Sequence, residues 1–169
     1  MKIAVVGGGA WGTALADLLA RKGEQVTLWA REPEVVESIN RHHVNEMFLP
    51  NASLAPALRG EGDLVKSVTG AEVVVSAAPS HAVRPVMQQA AAALARSNPL
   101  VISASKGLDP DRLERPSCVL GQVLPEGIVL RRGRPERGHD LVGLASEQLG
   151  IGTAHPLICL LHGDLVEVG

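Results

Sequence analysis

The sequence has 169 residues, of which 46% are hydrophobic and 20% are charged, and its formal net charge is −2. This composition argues against a disordered chain, and the small negative charge argues against a surface that binds nucleic acid. Two cysteines, Cys118 and Cys159, are too few for a disulfide framework. No uncharged apolar run reaches the roughly 18 residues of a membrane helix. We therefore expect a cytoplasmic protein that inserts into no membrane.

The first part of the chain alternates between apolar strand-like runs and helical patterns. Residues 2–6 are a short β-rich run, and residues 11–22 repeat apolar side chains at helical spacing. Residues 25–30 predict a second strand, and Pro33 suits the first turn of a second helix. Residues 45–62 have no clean period and predict a loop or a short strand.

The alternation continues in the middle of the chain. Residues 63–68 predict a short helix with an aspartate cap, and residues 73–75 form the continuous apolar run of a strand covered on both faces. Ser80 is predicted to cap an alanine-rich helix over residues 81–96, and residues 100–102 predict another buried strand. Strands that alternate with helices predict parallel pairing.

The pattern weakens toward the end of the sequence. A helix is predicted within residues 109–124, interrupted by Pro116. Beyond about residue 125 the sheet gains at most one strand, whose position the sequence does not fix. The fold class is thus α/β, with a doubly wound, mostly parallel Rossmann-type sheet. We expect a nucleotide-binding domain over residues 1–125 and an atypical tail over residues 126–169.

A glycine-rich loop carries the strongest functional signal. Residues 7–12 read GGGAWG and have the form G-x-G-x-x-G, between a predicted strand and a predicted helix. Gly7 permits the tight turn, Gly9 lets a pyrophosphate approach the backbone, and Gly12 lets helix and strand pack closely. The free amides at the helix start attract phosphate. A turn that merely tolerates glycine is the alternative, and the strand–helix context favours dinucleotide binding.

The residues that follow the second strand bear on the choice between NADP and NAD. Arg31 can clamp a 2′-phosphate, whereas Glu32 would repel one if it faced the same way. Strand alternation places Arg31 with Thr27 and Trp29, so only one of the pair is expected to face the ribose. We predict that NADP is accepted, with use of both cofactors left open. A solvated surface charge is the alternative role of Arg31.

Residues 1–16, with a tryptophan inside the glycine loop followed by Gly-Thr-Ala, closely resemble the opening of bacterial NAD(P)-dependent glycerol-3-phosphate dehydrogenases. The resemblance covers roughly residues 1–125. Further matching segments follow in order: residues 28–31 (LWAR), 48–50 (FLP), 78–80 (APS) and 105–108 (SKGL).

The resemblance implies a set of cofactor-binding residues, with Lys106 also contacting the substrate. Ala10 departs from the more usual serine of the family, which removes one hydroxyl. For Phe48 the alternative role is an ordinary anchor of a loop. For Lys106 the alternative is a solvated lysine beside a turn glycine. The implied residues are Gly7, Gly9, Ala10, Trp11, Gly12, Arg31, Phe48, Pro79 and Lys106.

The resemblance also implies the reaction, which is reversible hydride transfer between NAD(P)H and dihydroxyacetone phosphate. The product, sn-glycerol 3-phosphate, serves phospholipid synthesis. In the family a second, helical domain supplies the proton-transferring lysine, after a G-P-S-F-A-like segment that is absent following residues 123–125. We therefore expect a truncated or frame-shifted tail, and we assign no catalytic residue.

Two other functions stay open. The chain is either a dinucleotide-binding module without turnover, or a related reductase of the ketopantoate or hydroxyacid type. Trp11 in the loop and the Ser-Lys-Gly turn at residues 105–107 favour the glycerol-3-phosphate family over those reductases. His139, His155 and His162 fit no zinc spacing, so no metal site is expected. The sequence does not fix the oligomeric state and is compatible with a homo-oligomer.

Overall fold

The computed structural model describes residues 1–132, with backbone only for the last two. Strands and helices alternate throughout this part of the chain, as the sequence pattern predicts. No helix in it is long and apolar enough to cross a membrane. The elements are β1 (Lys2–Val6), α1 (Ala10–Arg21), β2 (Gln25–Trp29), α2 (Pro33–His42), β3 (Arg59–Glu61), α3 (Leu64–Val68), β4 (Val73–Ser76), α4 (Ser80–Ser97), β5 (Leu100–Ser103), α5 (Pro116–Val123) and β6 (Leu130–Arg132).

The strands form one sheet in which every pairing is parallel. Their order across the sheet is β3-β2-β1-β4-β5-β6. From β1 the chain moves outward to β2 and β3, then returns to the other side of β1 and continues through β4 to β6. The strand order therefore reverses between β1 and β4, and such a switch point opens a crevice at the carboxyl ends of the strands.

The two faces of the sheet carry separate aliphatic cores, as a doubly wound fold requires. Ile3 and Val5 of β1 face a core built with helices α1 and α2, whereas Ala4 and Val6 face a core built with α3, α4 and α5. β1 lies in the middle of both cores, because side chains of a strand alternate between its faces. The glycine loop that follows β1 therefore starts from a rigid support.

The structure corrects one predicted helix cap and locates one predicted short strand. Ser80 does not cap α4: Pro79 occupies the N-cap position with an extended backbone, and Ser80 is the first helical residue. A proline fits this position because its fixed φ is compatible with an extended residue and its missing N–H is not needed there. The aperiodic residues 45–62 contain the short strand β3 at their end.

The helix predicted over residues 109–124 begins only at Pro116. The preceding residues form a turn, in which the Asp109 carboxylate accepts hydrogen bonds from the backbone N–H groups of Asp111 and Arg112, both at 3.1 Å. A short aspartate side chain competes in this way with helix formation. The helix start is thus set by the proline, at the first turn where proline is tolerated.

A sixth strand lies beyond the boundary predicted at residue 125. β6 pairs with β5 in parallel, with Val101 opposite Leu130. The sequence left the position of this strand open, and the structure provides it. The other predictions for the tail, including those for His139, His155, His162 and Cys159, fall outside the described residues.

Candidate functional site

Three segments meet at the carboxyl edge of the sheet, one after each of β1, β4 and β5. The backbone N–H of Ala77 donates to the carbonyl of Val6 at 2.9 Å, and that of Ala104 donates to the carbonyl of Ser76 at 2.8 Å. The Ser105 hydroxyl donates to the same Ser76 carbonyl at 3.2 Å. The segments are therefore bonded to one another just past the switch point, where a ligand is expected.

Gly7 and Gly12 are glycines because the loop is packed tightly against its neighbours. Gly7 has φ of 130°, and a Cβ on it would lie 2.8 Å from both the Ala77 carbonyl carbon and the Ala78 nitrogen. A Cβ on Gly12 would overlap the carbonyl oxygen of Gly7. The first residue supports the turn and the last lets α1 pack on the loop, as the sequence predicts.

Gly9 differs from these two glycines because its open side faces no protein atom. It is the N-cap of α1, with φ of −67° and ψ of 176°, and no described atom lies within 4 Å of a Cβ built on it. This backbone conformation is available to any residue. The described residues therefore give no steric reason for glycine at this position, and the missing Cβ leaves open space beside the start of α1.

The electrostatics of the helix start suit an anion. α1 has 12 residues and no acidic side chain in its first turn, and its N-cap, Gly9, has no side chain that could accept from the first amides. The first hydrogen bond of the helix runs from the Thr13 N–H to the Gly9 carbonyl at 2.9 Å. The amides of Ala10, Trp11 and Gly12 have no earlier carbonyl to bond and carry the positive end of the helix dipole.

Trp11 connects the glycine loop to the segment after β5. Its indole Nε1 donates to the Ala104 carbonyl at 2.9 Å, and the Lys106 Nζ lies 4.6 Å from the centre of its ring. This is a cation–π distance. The two residues that the resemblance assigns to cofactor and substrate therefore lie in contact, although 95 positions separate them along the chain.

Arg31 lies just past β2 and is paired with its neighbour. Its side chain is 84% exposed, and its Nε and Nη2 donate to the Glu32 Oε1 at 3.1 and 2.9 Å. The burial alternation predicted for β2 holds, since Val26, Leu28 and Ala30 are all buried. Only one of Arg31 and Glu32 was predicted to face the ribose, and the structure shows the two side chains bonded to each other.

Phe48 and Pro79 each lie close in the chain to a residue that contacts the glycine loop, namely Asn45 and Ala78. Phe48 sits in a turn closed by pairing of Asn45 with Leu49, and it is 37% exposed. Pro79 is exposed at the start of α4, directly after the Ala78 nitrogen that packs on Gly7. Nothing described here covers either ring completely, so both offer surface to a ligand at this edge.

Sequence reasoning missed Gly8 and Asn45. A Cβ on Gly8 would lie 2.5 Å from the Cβ of Ala30, so this position also requires glycine. The side-chain amide of Asn45 is fully buried and donates to the Gly8 carbonyl at 2.9 Å and to the Thr13 hydroxyl at 2.8 Å. The only signal was an asparagine three residues before Phe48, a spacing at which the side-chain oxygen can accept from the backbone N–H, as it does at a helix N-cap.

The described residues also form a cavity, which is not lined by the glycine loop. A cavity of about 390 Å³ is at the opposite, amino edge of the sheet, lined by residues that include Lys2 and Gln25. Within residues 1–132, no group of three or more His, Cys, Asp or Glu side chains is placed to hold a metal ion. Among the described residues, the glycine loop and the segments that contact it therefore remain the candidate ligand site.

Comparison with known proteins identifies the family. The model of the family described as "NAD-dependent glycerol-3-phosphate dehydrogenase N-terminus" matches residues 2–133. The chain belongs to this family. It is 49% identical over 124 residues to a glycerol-3-phosphate dehydrogenase [NAD(P)+] of Rhodospirillum rubrum, a match that covers 73% of this chain and 35% of the relative. The chain therefore spans about a third of the length of that relative.

Solved structures agree with the family. A crystal structure of glycerol-3-phosphate dehydrogenase from Coxiella burnetii superposes with a TM-score of 0.68 at 30% identity, over 78% of this chain and 39% of that one. A ketopantoate reductase from Ralstonia eutropha gives 0.59 at 24% identity, over 78% of this chain and 40% of that one. The second likeness shows the shared fold alone, so the family match favours the glycerol-3-phosphate dehydrogenase family over the reductase alternative.

Proposed function

We propose that this chain binds NAD(P) at the carboxyl edge of β1 and β4. In the proposal the pyrophosphate lies against the amides that open α1, and the adenosine ribose lies toward Arg31. Phe48 and Pro79 flank the cofactor, and Lys106 lies toward the nicotinamide. The open side of Gly9 is the observation that carries the proposal, because the free protein itself gives no reason for a glycine there.

We further propose that these residues serve an oxidoreductase that interconverts dihydroxyacetone phosphate and sn-glycerol 3-phosphate. The bound nicotinamide supplies the hydride chemistry. Within the described residues, Lys106 is the lysine placed after the carboxyl end of a strand, and its ammonium can attract a phosphorylated substrate or polarise a carbonyl. Trp11 holds this lysine beside the helix start and so keeps a positive charge at the edge.

We also propose a cellular location for the protein and bounds for its nucleotide-binding domain. The exposed free thiol of Cys118 suits a reducing compartment, which supports a cytoplasmic location. We propose that the nucleotide-binding unit predicted over residues 1–125 also includes β6, because this strand pairs with β5.

A paired assay tests the proposed function. NADPH is titrated into the 169-residue protein while nicotinamide fluorescence is followed, and NADPH oxidation is then measured with dihydroxyacetone phosphate. We expect saturable binding with negligible turnover, because the resemblance places the proton-transferring lysine in a second domain. Absence of binding would contradict the cofactor site, whereas robust turnover would contradict the expectation that this chain only binds.

Replacing Arg31 tests the cofactor preference. We expect Arg31→Ala to weaken NADPH binding roughly tenfold and NADH binding much less, because a hydrogen-bonded charge on the 2′-phosphate is lost. Glu32→Gln should strengthen NADPH binding, because it removes a carboxylate that competes for the same guanidinium. Binding constants of both cofactors are compared for each variant.

Arg41→Ala is the matched control for this test. Arg41 is also exposed and also ion-paired, to Glu37 at 2.9 Å, but it lies at the far end of α2. We expect its removal to leave the ratio of the NADPH and NADH constants unchanged. An unchanged ratio in Arg31→Ala as well would remove Arg31 from the site.

A further inference from the structure

We infer that Asn45 is a positioning residue that orients the glycine loop for the cofactor and ties it to the Phe48 turn. This inference rests on the proposed function, since it assigns how the proposed phosphate cradle is held. Asn45 touches none of the atoms expected to contact the cofactor. It acts through the Gly8 carbonyl on one side and the Phe48 backbone on the other.

The Asn45 side chain is used on both of its polar ends. Its Nδ2 donates to the Gly8 carbonyl at 2.9 Å and to the Thr13 hydroxyl at 2.8 Å. Its Oδ1 accepts from the Phe48 N–H at 3.2 Å. Asn45 is also completely buried, and a buried amide with this many partners is held in a single orientation.

The Gly8 carbonyl is thereby fixed by two donors. Besides Asn45, the Thr13 hydroxyl donates to it at 3.2 Å. The carbonyl of Gly8 and the N–H of Gly9 belong to one planar trans peptide, so they point in opposite directions. Holding the carbonyl inward on Asn45 and Thr13 therefore turns the Gly9 N–H outward, to the side that a phosphate would approach.

The second connection places Phe48. The backbone of Asn45 accepts from the Leu49 N–H at 2.8 Å, and its side chain accepts from the Phe48 N–H, so the turn closes on this one residue. Phe48 is exposed on this turn and is the aromatic residue proposed to flank the cofactor. The buried Asn45 side chain thus sets the distance between the glycine loop and Phe48.

The test uses Asn45→Ala with Asn40→Ala as its control. Asn40 also makes two hydrogen bonds to the backbone, both at 2.9 Å and both to Gly60, but it has no contact with the glycine loop. We expect Asn45→Ala to raise the NADPH dissociation constant roughly tenfold, because the Gly8 carbonyl loses a partner and the loop relaxes. Asn40→Ala should leave that constant unchanged.

A second pair of variants covers the case in which Asn45→Ala does not fold. Thr13→Val removes the hydroxyl that bonds both Asn45 and Gly8 while keeping the side-chain volume, and Thr13→Ser retains the hydroxyl. We expect Thr13→Val to weaken NADPH binding roughly fivefold, because the Gly8 carbonyl loses one of its two donors. Thr13→Ser should bind like the original protein.

A cofactor-free readout separates this inference from the proposed function. In amide NMR spectra without NADPH, the Gly9 and Phe48 signals should move in Asn45→Ala but not in Asn40→Ala. If those signals stay in place, or if folded Asn45→Ala and Thr13→Val bind NADPH like their controls, the positioning role is wrong. If the unmodified protein does not bind NADPH, the proposed function fails and the role assigned here fails with it.

Discussion

Gly9→Val is expected to abolish most NADPH binding while leaving the fold intact. The new Cβ would enter space that no described neighbouring atom occupies, and the Gly9 backbone is extended, so the free protein accommodates this Cβ without a clash. The same side chain would stand between a pyrophosphate and the amides of α1. Loss of two charge-assisted hydrogen bonds is worth about 3 kcal/mol, or roughly a hundredfold in the dissociation constant.

Binding by fluorescence and unfolding temperature by calorimetry check this expectation together. Gly121→Val is the control, since Gly121 lies in α5, outside the glycine loop, and no described neighbouring atom is within 4 Å of a Cβ built on it. Both variants should keep the unfolding temperature of the original protein within a few degrees. NADPH affinity retained by Gly9→Val would show that the open side of Gly9 is not the phosphate cradle.

Gly12→Ala is expected to have the opposite profile, with a large loss of stability. The new Cβ would overlap the Gly7 carbonyl, and backbone cannot move aside as a flexible side chain can. Overpacking of this kind lowers the free energy of unfolding by about 3 kcal/mol. For a protein of this size the unfolding temperature should fall by roughly 10 °C.

Gly121→Ala provides the comparison within a helix. Gly121 lies in α5, and no described atom is within 4 Å of a Cβ built on it. Alanine there should raise stability by about 0.5–1 kcal/mol, because glycine is a poor helix former. The unfolding temperatures of Gly12→Ala and Gly121→Ala are measured and compared with that of the original protein. Equal stability of Gly12→Ala and the original protein would mean that α1 does not pack on the loop as described.

The sequence predicted the glycine loop well because the pattern that defines this loop lies entirely within residues 7–12. The three glycines of the pattern, Gly7, Gly9 and Gly12, fall between a strand and a helix. The spacing alone predicts a separate steric role for each of them. The structure confirms the turn at Gly7 and the close packing at Gly12. The resemblance added Trp11 and Lys106, whose indole–ammonium contact depends on sheet order and could not be read from either residue alone.

The residues that were missed depend on contacts distant in sequence. Asn45 lies in a stretch without periodicity, and nothing local distinguishes a buried asparagine from one in a solvated loop. Gly8 occupies a variable position of the loop pattern, and its need for glycine arises from Ala30, which directly follows β2. The pairing of Arg31 with Glu32 was missed because strand alternation was extended past the end of β2.

In the proposed complex, a dinucleotide binds at the carboxyl edge of the sheet with its phosphates on the start of α1. Amide NMR spectra of the isotopically labelled protein, recorded during titration with NADPH, test this most directly. We expect the largest shifts at residues 8–12, with further shifts at residues 105–107. Shifts concentrated instead around Lys2 and Gln25, at the cavity on the amino edge, would contradict it.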